Sequence, residues 1–279
     1  MKGRRVLVTG GSKGIGRATA EALAAQGWRV TLLARDSPAL QAARESLPGD
    51  GHEAVALDVA DEQGWEKLRP GLEDVEGLVC AAAMLDPVGP IGSYTAAEFR
   101  RTMDVNVLGT LLAITACLPG LRATRGAVVT FSGGGATAPL RRFDAYAASK
   151  AAVVRLTENL AVELAGDGVR LNSIAPGFVA TEIHRSTLAA GPELVGAEYF
   201  EHTREQLDRG GVPAGEAAEL ACALLDREQT PFSGKLISAQ WDPWRDAEFL
   251  HRLAEERDLA TLRRIDDMFF TESPERTRA

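Results

Sequence analysis

The stretch TGGSKGIG, Thr9 to Gly16, follows the apolar run RRVLV and leads into the helix-forming segment GRATAEALAAQG. A strand that turns tightly into a helix brings free backbone N–H groups and the positive end of the helix dipole to one point. Glycines at 10, 14 and 16 permit such a turn and let the backbone approach a diphosphate seated on the helix N-terminus. The spacing is G-x-x-x-G-x-G, so its meaning depends on whether a parallel sheet surrounds it.

The rest of the chain supplies that context. Short apolar runs at Arg5–Thr9, Arg29–Ala34, Ala54–Leu57, Gly77–Ala81, Ala127–Phe131, Arg170–Ile174 and Lys235–Ser238 alternate with helical patterns. They are unbroken Val, Leu, Ile and Ala rather than alternating, as strands covered on both faces are. The pattern predicts a doubly wound α/β domain, a seven-stranded parallel sheet with helices on both faces. The first helix is expected to stop at Gly27. A longer helix is expected over Asp144–Ala165, with Asp144 as its cap and Val153, Leu156, Leu160 and Leu164 as its apolar stripe. Residues 180–215, rich in Gly, Pro and charge, read as an irregular connection of the kind that often forms a substrate lid. The expected division is one domain over 1–240 and a charged helical extension, 241–279, that is not a separate domain. That extension is expected to be helical over Arg245–Ile265 and loose at TESPERTRA.

Composition excludes several classes. The 279 residues are 45% hydrophobic and 25% charged, with a formal charge of −8, which disfavours nucleic-acid and anionic-membrane surfaces. Cys80, Cys117 and Cys222 form no disulfide framework or CxxC pair, and His52, His184, His202 and His251 show no ligand spacing, so no metal is expected. The apolar run Val107–Leu118 is shorter than the ~20 residues a bilayer crossing needs. With no signal-like N-terminal stretch, the expectation is a soluble cytoplasmic protein.

Two basic residues bear on the nucleotide. Lys13 lies in the glycine loop and Arg35 ends the second strand, where an acidic residue would grip a ribose 2′-hydroxyl and a basic one a 2′-phosphate. NADP(H) is therefore expected over NAD(H), although Asp36, immediately after, leaves an NAD-preferring enzyme as an alternative. Further along, AYAASKAA sets Tyr146 and Lys150 four apart on one helix face. A free phenol, with a pKa of about 10, is a poor acid or base at neutral pH, and a neighbouring ammonium brings it into range.

Taken in order, these motifs resemble the short-chain dehydrogenase/reductase family from Val6 to about Ser238. TGGSKGIG is similar to its TGxxxGxG loop, implicating Gly10, Ser12, Lys13, Gly14, Ile15 and Gly16, and AYAASK to its YxxxK pair. LDV resembles the adenine-contacting segment (Asp58, Val59), and MDVNVLG carries Asn106 where the family keeps the asparagine of its proton relay. NSIAPGFVAT resembles PG-x-x-x-T beside the nicotinamide, implicating Pro176, Gly177, Val179 and Thr181. The resemblance implies a Rossmann-type fold in which hydride passes between NADPH and a carbonyl or secondary alcohol while Tyr146 handles the oxygen's proton. Lys150 would lower the tyrosine pKa and hold the nicotinamide ribose, and Asn106 would hold a relay water. It also implies a homodimer or homotetramer joined through helices near 97–118 and 144–165.

Two departures stand out. The family's NNAG is CAAA here, Cys80 to Ala83, with Ala82 expected to keep the close backbone approach to the cofactor. The family's serine thirteen residues before the tyrosine is Gly133, so Ser132, one place earlier, is the expected hydroxyl donor, with Thr137 a second hydroxyl in that loop. The missing serine also motivates a rival reading, a cofactor-binding regulator with little catalysis, against which Asn106, Tyr146 and Lys150 count. A sugar-nucleotide epimerase is disfavoured by chain length and glycine spacing. Glu182, His184, Arg185, Tyr199 and Phe200 in the lid suggest a small polar or sugar-like substrate, while Trp241, Asp242 and Trp244 either wall a pocket or pack.

Overall fold

The computed structural model describes residues 3–35 and 38–264. Seven parallel strands form one sheet in the order β3-β2-β1-β4-β5-β6-β7. They are β1 (Arg5–Thr9), β2 (Arg29–Ala34), β3 (Glu53–Ala56), β4 (Val75–Cys80), β5 (Ala127–Phe131), β6 (Arg170–Ala175) and β7 (Leu236–Ser238). This is a Rossmann-type sheet whose strand order reverses between β1 and β4, and ligands bind such sheets in the crevice outside the carboxyl ends at that reversal.

Apolar residues cover both faces. On one side Val6, Val8, Val30 and Val129 pack under α1 (Gly14–Ala25), α2 (Pro38–Glu45) and α10 (Ala214–Leu225). On the other, Leu7, Leu78, Val128 and Leu171 pack under α3 (Glu62–Leu68), α5 (Gly109–Thr124) and α6 (Asp144–Glu163). Strands buried on both sides have no polar alternation to show, which is why they read as continuous apolar runs. The helix α4 (Ala96–Met103) runs into α5 through one π turn, Asp104–Leu108. The whole 29-residue stretch Ala96–Thr124 is long and apolar enough by composition to span a bilayer, but over half of its apolar window is buried within the fold.

Three expectations need correcting. Residues 180–215 are not irregular: they form α7 (Glu182–Ala190), α8 (Pro192–Val195) and α9 (Ala197–Asp208). Gly191 and Gly196, at φ 81° and 89°, end or begin these helices instead of breaking a loop, and Pro192 opens α8. Asp144 does not cap α6. It is the first helical residue, after Phe143 at the cap position, and it accepts a 2.5 Å hydrogen bond from the Tyr94 hydroxyl.

The third correction concerns the C-terminal extension, whose helix is only α11 (Ala247–Glu255), capped by Asp246 and anchored by buried Leu253. Beyond it the chain turns back to β7: Lys235 Nζ donates to the carbonyls of Glu256, Arg257 and Leu259 at 2.6–3.0 Å. The Leu236 N–H donates to Ala260 O at 2.7 Å, so a helix continued to Ile265 would forfeit these bonds. Trp244 is buried, with its indole N–H on Ala239 O, whereas Trp241 is exposed. Ile265 and TESPERTRA lie outside the described residues.

Candidate active site

The glycine loop is built to be approached closely. Gly10 has φ 66°, and a Cβ there would lie 2.7 Å from the Ala82 nitrogen and 2.8 Å from the Ala81 carbonyl. The Ala81 and Ala82 N–H groups donate to the Thr9 carbonyl and hydroxyl, so the ends of β1 and β4 are stitched together at the strand-order reversal. A Cβ on Gly16 would meet the Gly10 carbonyl at 2.4 Å, which fixes how near α1 sits. Lys13 is the extended cap residue of α1, with no side-chain cap and no acidic residue in the first turn. The N–H groups of Gly14, Ile15 and Gly16 are orphan donors among the described residues, and Ser12 is half-buried beside them. Such a turn fits a dinucleotide diphosphate.

The other sequence-identified residues gather around it. The Gly11 N–H donates to Leu33 O at 3.4 Å, which ties the loop to β2 two residues before Arg35. Lys13 and Arg35 are both exposed, and neither makes an ion pair with a described residue. Asp36 lies outside the described residues. Asp58 accepts from the Ala60 N–H at 3.0 Å and from Arg101 Nη2 at 2.5 Å. Burial opposes ionisation there, but the Ala60 bond, Arg101 and the field of Arg35 together hold the carboxyl below its usual range. Arg101 was not legible in the sequence, because it reaches Asp58 across 43 residues from α4, with no motif around it. Val59 is buried against Gly109, with its carbonyl taken by the Trp65 indole. Pro176 is buried, Gly177 has φ 76°, and Val179 bridges to Val212. Thr181 makes no cap bond, and its methyl lies 3.3 Å from where a Cβ on Gly14 would stand, so that segment folds onto the glycine loop.

The Tyr146–Lys150 pair stands at the start of α6, against the end of β5. Lys150 is 5% exposed, and its Nζ donates to Phe131 O at 3.0 Å, 5.7 Å from the Tyr146 ring centroid. Burial pushes its ammonium down to about 8. Tyr146 keeps its ring half-buried, and a Cβ on Gly133 would fall 2.2 Å from the phenol oxygen. The residue facing that hydroxyl is thus Gly133. Ser132 sits one place back, 4% exposed, with its N–H in the ladder to Ile174 O at 2.8 Å; Thr137 is exposed. Burial first, and Tyr199 second, push the Tyr146 phenol upward.

Asn106 lies in the π turn and is 1% exposed. Its side chain accepts from Met84 N and donates to Met84 O and Ser149 Oγ, at 2.8–2.9 Å, while its carbonyl accepts from the Thr110 hydroxyl. It therefore ties β4's continuation to α6 and holds the turn carrying Tyr146. Tyr146, Tyr199 and Phe200 pack on a small cluster of Leu85, Phe143 and Val195. His184 stacks on Phe178 at 3.8 Å, and burial lowers its imidazole to about 4, so it packs as a neutral ring. No group of metal-ligating side chains occurs among the described residues.

A family profile described as short chain dehydrogenase matches residues 4–190. Levodione reductase of Leifsonia aquatica is 34% identical over 194 residues, 66% of this chain and 73% of that protein. Carbonyl reductase family member 4 of Danio rerio is 30% identical over 84% of this chain and 95% of its own length. L-fucose dehydrogenase of Mus musculus is 33% identical over 83% and 85% respectively. The solved structure of levodione reductase superposes with a TM-score of 0.75 at 30% identity, covering 84% of this chain and 95% of the other.

Proposed function

The chain belongs to the short-chain dehydrogenase family, an NAD(P)-dependent oxidoreductase, and on that premise we propose that it is an NADP-dependent enzyme interconverting a carbonyl and a secondary alcohol on a small, polar, sugar-like substrate. The observation that carries this reading is the Tyr146 hydroxyl standing against Gly133, with Lys150 buried behind it and the open glycine loop at the same end of the sheet.

The bound nicotinamide would supply or receive the hydride. Gly10, Ser12, Lys13, Gly14, Ile15 and Gly16 would hold its diphosphate, Asp58 and Val59 the adenine end, Ala82 the passing backbone, and Pro176, Gly177, Val179 and Thr181 the nicotinamide end. Lys13 and Arg35, exposed and without ion pairs among the described residues, would clamp the 2′-phosphate. Tyr146 gives its phenolic proton to the carbonyl oxygen during reduction and takes it back during oxidation. Lys150, which is charged below pH of about 8, stabilises the phenolate left behind, and protons return past Lys150 through water beside Asn106. Ser132 is the hydroxyl that sequence order nominates to orient the substrate oxygen. The aromatic wall of Tyr199 and Phe200 suits the apolar face of a ring, and the relatives include enzymes named for fucose and for carbonyl reduction. The three cysteines, free and buried, favour a reducing, cytoplasmic compartment. Exposed Val162 on α6 and Leu111 on α5 favour a homodimer or homotetramer joined through those helices, which light scattering tests. A panel of carbonyls and alcohols, run in both directions with NADPH, NADP, NADH and NAD while following nicotinamide absorbance, tests the reaction. Turnover with NADP(H) on a polar ring substrate is expected, and turnover confined to NAD(H) would contradict the cofactor assignment.

A further inference from the structure

The serine that the family places before the tyrosine is a glycine here, and the space its side chain would fill is faced by the Tyr146 hydroxyl, 2.2 Å from the position of a Cβ. A carbonyl oxygen held by one donor alone is poorly oriented, so a second donor should come from elsewhere in the pocket. Of the three tyrosines, Tyr94 spends its hydroxyl on Asp144. Tyr146 and Tyr199 donate to nothing among the described residues. Enclosed phenol hydroxyls normally find a partner, and here two uncommitted ones pack on the same cluster of Leu85, Phe143 and Val195.

Tyr199 is also held in place. Its ring packs on Phe143, the cap residue of α6, at a centroid distance of 4.7 Å, three residues before Tyr146. Arg142 fastens the lid by donating to the carbonyls of Glu193 (2.5 Å) and Leu194 (3.2 Å), and α9 starts two residues before Tyr199. Tyr199 also bears on the Tyr146 phenol electrostatically, pushing it upward after burial does. Ser132, by contrast, stands one residue behind Gly133 in the sheet ladder.

We propose that Tyr199, from the lid helix α9, donates the second hydrogen bond to the substrate oxygen in the place left by Gly133. The lid is then part of the catalytic centre. Only with α9 docked are both donors in position, which couples closure over the substrate to its orientation. This rests on the oxidoreductase reading above.

The test compares Tyr199→Phe, Ser132→Ala and Tyr146→Phe on the substrate that wild type turns over best. Tyr199→Phe keeps the ring on Phe143, so Tm and the NADPH Kd should not move while kcat falls about 100-fold, the usual cost of one oxyanion donor. Ser132→Ala removes the alternative hydroxyl donor and should lower kcat less than Tyr199→Phe does. A second readout is single-turnover hydride transfer at saturating NADPH, which should slow in Tyr199→Phe by the same factor as kcat. Wild-type kcat in Tyr199→Phe, the large loss in Ser132→Ala instead, or an unmoved single-turnover rate would each overturn the proposal. Full activity in Tyr146→Phe would count instead against the reading on which it rests.

Discussion

Replacing Gly10 with alanine tests the close approach on which cofactor binding depends. At φ 66° an alanine pays roughly 1–2 kcal/mol of left-handed strain. Its Cβ would also lie 2.7 Å from Ala82 N and 2.8 Å from Ala81 C and O, which are backbone atoms just past the carboxyl end of β4 with no rotamer to yield. Overpacking of that kind typically costs a further ~1–3 kcal/mol. Together these come to about 3 kcal/mol, or roughly 6–12 °C in Tm for a chain of this size. Gly27→Ala is the control, because Gly27 has φ 83° with nothing within 4 Å, so it carries the strain without the collision. Scanning fluorimetry and NADPH titration of both variants separate the two effects. Gly10→Ala should melt well below Gly27→Ala and bind NADPH at least tenfold more weakly, while Gly27→Ala binds normally. Equal melting temperatures, or unimpaired binding in Gly10→Ala, would refute the reasoning.

Two further outcomes follow from the charged groups. Lys13→Ala with Arg35→Asp should move the kcat/KM preference from NADP towards NAD by two orders of magnitude or more, each lost charge-assisted contact being worth ~1.5–3 kcal/mol; an unchanged ratio of the two Kd values would dispose of the clamp. The ammonium of Lys150 falls from an ordinary 10.5 to about 8 through burial, so between those pH values the unfolded chain holds a proton that the folded chain has released. Folding stability attributable to this residue should therefore rise with pH across that window, and urea unfolding of wild type against Lys150→Met should show a gap that narrows from pH 8 to 10.5. A gap independent of pH would mean that Lys150 is not buried as a lone cation.

The sheet was legible because its central strands are covered on both faces, so Val6–Val8, Leu32–Leu33 and Val128–Val129 had to be apolar without interruption. The glycine loop could be read because positive φ and backbone contact at Gly10 leave few other residues able to stand there. The lid could not. Glycines there mark helix ends, and only the docking of α9 on Phe143 reveals that the segment is packed structure rather than loop. Arg101 belongs to the candidate site through a contact across 43 residues that carries no local periodicity, whereas Tyr199 was named from the sequence and only its packing beside Tyr146 was not. Ser132 was nominated by sequence order alone, whereas the structure sets Gly133 against the tyrosine hydroxyl. The fold-back of residues 256–260 was hidden for the same reason, since Lys235 reaches carbonyls more than twenty residues away.

The central claim is that Tyr146 moves the proton while its neighbours hold cofactor and substrate. Single-turnover measurement with Tyr146→Phe, after NADPH binding has been matched to wild type by titration, tests it most directly. The account predicts an intact NADPH Kd with hydride transfer slowed by about 100-fold or more. Hydride transfer at the wild-type rate in Tyr146→Phe would contradict it.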